Sequence, residues 1–455
     1  MSAAPGRPQA SSHRSAQHEG APVNTARAPL MSLDDALAEL LGHAQVLPGG
    51  ESVSTFDADG RVLAQDVVSS LQVPPQDNSS MDGYAVRSAD VAQAGVLLQV
   101  SQRIAAGANG KPLRAHSAAR IFTGAPIPPG ADAVVMQEDC EVVNGLTGQG
   151  GSQAALGDVR VNAVPKAGQW IRRAGEDVTQ GAVVLAQGER LDPAALGLAA
   201  SIGMSHLQVA RRPRVALFST GDELVMPGDV APHAMKPGAI YNSNRFFLRA
   251  MLRRMGCEVT DFGIVPDRLD ATLLALKRAA HDHDLILTSG GVSVGEEDHI
   301  KPAVQTLGEL NLWQVAIKPG KPFAYGKIGR GNGVDGLGEG LGRTHFMGLP
   351  GNPVSSFITF QVLVRPFLLR MQGVADVATK SIAIQAHFTW AKADKRREFL
   401  RVRRNAAGGL DLYPNQSSGV LTSAVWGDGV VDNPAGHAIA HGDVVQFIAF
   451  ADWLN

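Results

Sequence analysis

The sequence predicts an α/β protein of several domains. A doubly wound, mostly parallel α/β domain is expected at 211–372, with β-rich modules before it at 30–210 and a small β-barrel after it at 373–455. Three observations carry this reading. The chain has 455 residues, enough for about three domains at roughly 150 residues each. Between 211 and 372, short apolar runs alternate with stretches of helical spacing. After about 373, apolar residues recur at every second position instead.

Residues 1–29 are Ala, Pro, Ser, Arg and Gln without periodicity and read as a disordered tail. Ser32 is a suitable N-cap for a helix over Leu33–Leu41, with Asp34 and Asp35 in the first turn where the helix dipole favours them. Short strands follow at Arg61–Val68, Val96–Val100 and Ala133–Gln137; their spacing suggests small β-rich modules, one of them inserted at about 72–175. In the α/β domain, strands are expected at Val215–Phe218, Cys257–Gly263, Leu285–Ser289, Leu312–Ile317 and Phe346–Leu349. Helices are expected at Asn244–Met255, Ala271–Ala280 and Asp298–Leu307, and a last one from Pro353 that Pro366 kinks or ends. The barrel strands are Ser381–Phe388, Glu398–Arg404 and Val444–Phe450.

Composition removes several function classes. Lys and Arg number 41 against 43 Asp and Glu, a net charge of −2, so bulk binding of nucleic acid or of an anionic membrane is not expected. Two cysteines, Cys140 and Cys257, make neither a disulfide framework nor a Cys-rich zinc site. No apolar run approaches the roughly 18 residues of a membrane span. A reducing, cytoplasmic setting fits best.

In open α/β sheets, ligands bind beyond the carboxyl ends of the strands. Three Gly-rich, hydroxyl-bearing loops fall there: Ser219-Thr220-Gly221-Asp222-Glu223, Ser289-Gly290-Gly291-Val292-Ser293 and Pro350-Gly351-Asn352-Pro353-Val354-Ser355. Such loops let backbone N–H groups approach an anion closely. One alone would be an ordinary tight turn, but three on one sheet point to phosphate. Acids beside phosphate point to Mg²⁺, which takes one or two carboxylates together with phosphate oxygens. Glu223, Asp267 and Asp298 flank the expected strand ends and are the candidate ligands; Asp222, Glu296 and Glu297 are rivals that would only cap helices. Lys318 and Lys321, on the stiff turn Lys318–Pro322, suit an oxyanion or a solvated surface turn. Strand alternation puts Arg397, Arg401 and Arg403 on one face, either functional or solvated. His281-Asp282-His283-Asp284 reads as a solvated turn rather than a metal cluster. Gly331, Gly333 and Gly336 fit G-x-G-x-x-G but lack the strand and helix a dinucleotide site requires. No Ser–His or Cys–His nucleophile pair is evident.

Six motifs occur in order between residues 78 and 355, within a match that runs from about residue 30 to the C-terminus. They are Asn78-Ser79-Ser80-Met81-Asp82-Gly83-Tyr84-Ala85, Phe122-Thr123-Gly124-Ala125, Ser219-Thr220-Gly221-Asp222-Glu223-Leu224, Ser289-Gly290-Gly291-Val292-Ser293-Val294-Gly295, Lys318-Pro319-Gly320-Lys321-Pro322, and Gly348-Leu349-Pro350-Gly351-Asn352-Pro353-Val354-Ser355. With them the chain resembles the MoeA family of molybdopterin molybdenumtransferases, to which the E domain of gephyrin is similar. The resemblance implies a homodimer that inserts molybdate into adenylylated molybdopterin with release of AMP and a requirement for Mg²⁺. It implies Glu223, Asp267 and Asp298 at the metal and molybdate region, and Lys318 and Lys321 on oxyanions. Asp82 and Thr123 would come from the partner subunit, and Arg397 with Ser417 or Ser418 would line the rim. A molybdopterin adenylyltransferase is the implied candidate partner. Gln314 stands where the family often has Lys, and His299 where an aromatic is common. The segments 225–239 and 329–343 are longer than usual. A non-catalytic molybdopterin-binding scaffold of the same fold is the alternative; its mark would be loss of the acids or the glycine loops, and both are present.

Overall fold

The helix Leu33–His43 begins where its cap predicts: Ser32 Oγ accepts from Asp35 N at 3.0 Å. It belongs to a computed structural model that describes residues 1, 6, 30–144, 156–291, 299–330 and 342–454. Nearly all of the tail at 1–29 lies outside the described residues. Leu33, Ala36 and Leu40 bury one face of this helix against the α/β domain.

The stretch expected as one strand at Arg61–Val68 is strand only at Val67–Val68. Its partners explain this. Val62 bridges Arg190, Leu63 bridges Val209, and Val67–Val68 pairs with Val183–Leu185. The chain passes between short ladders instead of following one. The inserted module is a six-stranded sheet between Gly83 and Val161, with apolar clusters on both faces. Its strand Val96–Ile104 runs four residues past the expected end.

The main sheet of the α/β domain has six strands: β1 (Arg214–Thr220), β2 (Glu258–Val265), β3 (Leu285–Ser289), β4 (Gly308–Gln314), β5 (Pro322–Gly329) and β6 (Arg343–Leu349). They lie in the order β2-β1-β3-β6-β5-β4. Pairings β1·β2, β1·β3 and β3·β6 are parallel; β6·β5 and β5·β4 are antiparallel. Helices α1 (Asn244–Arg254) and α4 (Pro353–Met371) cover one face, together with Leu33–His43. Helices α2 (Leu269–Asp282) and α3 (Ile300–Leu307) cover the other. This doubly wound arrangement leaves the carboxyl ends of β1, β3 and β6 side by side.

Helix α4 bears on two expectations. Pro366 does not end it, because a π-helical turn at Phe360–Val364 precedes the proline. The wider turn relieves the clash of the ring with the carbonyl behind it. The helix is also long and apolar enough to span a bilayer by length and composition, with a mean hydropathy of 1.2, but 83% of that stretch is buried inside the protein. It is a core helix.

The C-terminal strands Ile382–Gln385, Arg397–Arg404, Leu410–Leu412, Gly429–Asn433 and Val444–Ala449 form an antiparallel sheet. A bridge between Ala386 and Leu410 closes it into a small barrel. Ile317–Lys318 adds alongside Arg397–Glu398 and ties the barrel to the α/β domain. Phe450 starts a terminal helix instead of ending the last strand.

His345 on β6 lies in a partly buried aromatic group, 3.0 Å from Tyr325 Oη and 4.9 Å from the Phe367 ring. Burial pushes its imidazole down to about 4 from 6.5. The unfolded chain therefore binds more protons between those values, and stability falls as pH drops from 6.5 towards 4. Urea midpoints across this range should fall less steeply for His345→Gln than for the unmodified chain; equal slopes would contradict this assignment.

Candidate functional site

Close backbone packing builds the floor of the site. After β1, Gly221 takes φ 140° and the Glu223 carboxylate folds back over it; a Cβ at Gly221 would meet the Glu223 oxygens at 2.6 and 2.8 Å. After β3, Gly290 and Gly291 take φ 94° and 67°. A Cβ on Gly290 would lie 2.8 Å from the Thr220 carbonyl oxygen. Only glycine lets these two loops touch. After β6, Pro350-Gly351-Asn352 leads into α4, and Gly290 N donates to Leu349 O at 3.1 Å. Three loops thus meet at one edge of the sheet.

A fourth segment completes the wall. Ile240–Tyr241 pairs with Leu224–Val225, and the chain then enters α1 through Asn242, Ser243 and Asn244. Asn244 Nδ2 donates to Ser289 Oγ and to Gly351 O, both at 2.7 Å. Asn242 is 2% exposed, and its Nδ2 has no partner among the described residues. Together these elements enclose a cleft of about 720 Å³. Glu223 and Asp267 line it, as do Gly221, Ser289, Gly290 and Gly291 from the first two loops and Pro350, Gly351, Asn352 and Ser355 from the third. Asp222 Oδ1 accepts from Asp267 N at 3.3 Å, which braces one acid beside the other. A cleft offering glycine N–H groups, amide donors and two carboxylates suits a phosphate ligand with a hard cation. No group of three His, Cys, Asp or Glu able to hold a metal occurs among the described residues. Asp298, the third acid of the expected set, and Ser293 lie outside them.

Comparison with known proteins identifies the family. The chain matches the family models for the MoeA N-terminal region (domain I and II) at 31–203, a probable molybdopterin binding domain at 216–370, and the MoeA C-terminal region (domain IV) at 383–450. A molybdopterin molybdenumtransferase of Haemophilus influenzae is 40% identical over 344 residues, 76% of this chain and 78% of its own length. The chain belongs to the MoeA family. Molybdopterin molybdenumtransferase 2 of Mycobacterium tuberculosis is 36% identical over 84% of this chain and 90% of its own. A solved structure of the molybdopterin biosynthesis moeA protein of Pyrococcus horikoshii OT3 superposes with a TM-score of 0.76 at 26% identity, covering 92% of this chain and all of that one.

Within this MoeA-family architecture the other candidate residues take different places. Ser219 lies inside β1, 1% exposed, and its Oγ has no partner among the described residues; Thr220 faces the cleft instead. Lys318 Nζ bonds Glu398 Oε1 at 2.9 Å and Asp394 Oδ2 at 3.3 Å, between the two domains. Lys321 is half-buried next to cleft residue Pro322, and its carbonyl accepts from Val315 N. Arg397 is engaged by Asp432 at 2.6 Å and Asp34 at 3.0 Å, so it fastens the barrel to the N-terminal helix. Asp82 accepts from Thr123 N and Thr123 Oγ1 at 2.8 and 2.9 Å, in the inserted module and away from this cleft. Ser418 contributes its carbonyl to Val354 N at the start of α4, and Gly419 lines the cleft.

Two places in the chain were underread from the sequence. Arg401 is 1% exposed and has no carboxylate partner among the described residues. Burial pushes its guanidinium down to about 10. It donates to Phe399 O, Ser417 O and Ser423 Oγ, and so holds the rim segment that carries Ser418. Alternation put Arg397 and Arg401 on one face and could not rank them. The expected solvated turn at His281–Asp284 is also corrected: His283 and Asp284 are 6% and 3% exposed. Burial raises the Asp284 carboxyl, but hydrogen bonds from Arg211 and Arg214 N outweigh it and hold it below the usual range. Gly331, Gly333 and Gly336 lie outside the described residues.

Gly290→Ala forces a Cβ against Thr220 O at a positive φ. It should cost about 1–3 kcal/mol in urea unfolding. An unchanged midpoint would show that the two loops do not need this contact.

Proposed function

We infer that the chain is a molybdopterin molybdenumtransferase of molybdenum cofactor biosynthesis, which inserts molybdate into adenylylated molybdopterin and releases AMP. The observation that supports this most is the pairing of Glu223 and Asp267 with three glycine loops around one cleft, in a chain 40% identical to a relative of that name. The substrate joins two phosphates. The loop N–H groups at Gly221 and Gly291 would hold its oxygens, and the Asn242 amide offers a further buried donor.

The donor set fits Mg²⁺, since Glu223 and Asp267 are oxygen ligands on one cleft and Asp298 is the third acid. Bound there, the ion supplies positive charge where the phosphate bond is cleaved. Lys318 keeps part of its side chain exposed at 36%. An ammonium has three protons, so it can serve a substrate oxygen while retaining Glu398 and Asp394. Arg401 holds Ser417 and Ser418 at the rim. The substrate's own dithiolene sulfurs receive the molybdenum, so the protein's contribution is positioning and electrostatics. Asp82 and Thr123 would reach this cleft from the second subunit of a homodimer. The enzyme would work in the cytoplasm on substrate supplied by a molybdopterin adenylyltransferase.

Asp267→Asn and Asp298→Asn should each lower cofactor formation at least about 10²-fold, roughly 2.7 kcal/mol of transition-state stabilisation. Circular dichroism should show both variants folded. Normal turnover by both would remove the acids from the chemistry.

A further inference from the structure

Asn244 ties two ligand loops together with a single amide. Both Nδ2 hydrogens are used, one on Ser289 Oγ and one on Gly351 O, each at 2.7 Å. Asn244 is 7% exposed and Ser289 4%, so neither bond competes freely with water, and both residues line the cleft. The donor identities fix the chemistry. A carbonyl oxygen can only accept, so the nitrogen must face Gly351 O, and Ser289 Oγ must then accept from that same nitrogen. A serine hydroxyl has one proton to give. With its oxygen receiving from Asn244, that proton has no acceptor among the described residues.

We propose that Asn244 is a positioning residue that aims the Ser289 O–H into the cleft as a donor to the anionic substrate and holds the Gly351 loop beside it. The inference rests on the transferase reading above and names a residue that reading does not use. A second observation agrees: the neighbouring Asn242 Nδ2 is also a buried donor without a partner among the described residues, on the same cleft. The wall built by this segment is donor-rich and calls for an acceptor-rich ligand. Asn244→Asp reverses the arrangement. A carboxylate cannot donate, so the Ser289 proton turns onto it and leaves the substrate. Asn244→Ala removes the amide without adding charge and frees the hydroxyl to rotate.

The test is a double-mutant cycle with adenylylated molybdopterin as the probe, read by binding titration and by separate kcat and KM. Asn244→Asp should weaken binding about tenfold or more, the scale of one hydrogen bond to a charged group. Most of that loss should disappear in a Ser289→Ala background, where no hydroxyl is left to turn. Asn244→Ala should show a smaller loss with the same dependence on Ser289, and it covers the case in which the aspartate variant does not fold. Full and equal losses in both backgrounds would overturn the positioning role and leave the transferase reading intact. Failure of the unmodified chain to bind adenylylated molybdopterin would overturn both.

Discussion

Parallel strand register is the constraint on which the site depends. Ser219, Ser289 and Leu349 are direct neighbours across β1, β3 and β6. Because these strands run the same way, the residues that follow leave the sheet at one edge and in one row. Chemistry that would be scattered in sequence over about 130 residues is thereby gathered into one cleft of about 720 Å³. The glycines then set the spacing. At Gly221, Gly290 and Gly291 a Cβ would strike an atom closer than 3.0 Å, so the loops can meet only where side chains are absent.

The barrel and the N-terminal helix are joined to the α/β domain by polar contacts as well as by the shared apolar core. Arg397 joins Asp432 of the barrel to Asp34 of the N-terminal helix. Lys318 joins the α/β domain to Glu398 and Asp394. Arg401 is buried inside the barrel and holds the rim segment whose Ser418 carbonyl meets Val354 N. A single buried ion pair is weak evidence for stability. These contacts matter here because they place the barrel rim over the cleft.

Much of the lining of the candidate cleft was legible in the sequence. Gly, Ser and Asn after an apolar run are needed locally, and each loop announces itself within a few residues. The floor residues from Gly221 to Ser355 were read this way, as was the alternation of strands and helices. What escaped depends on distant partners. Strand β5 starts at Pro322 and contains Gly326, both poor strand signals, and it is secured by antiparallel neighbours on both sides. Asp284 looks like a surface acid until Arg211, 73 residues earlier, is brought to it. Asn244 looks like the start of a helix, and its partners lie 45 and 107 residues away. Periodicity does not report such distances.

The most direct test of the central claim is AMP release from adenylylated molybdopterin by the purified protein, measured with and without molybdate and Mg²⁺. The account predicts release that requires both, with active molybdenum cofactor formed in step with the AMP. Tight substrate binding without release under these conditions would contradict it and identify the cleft as that of a carrier or scaffold.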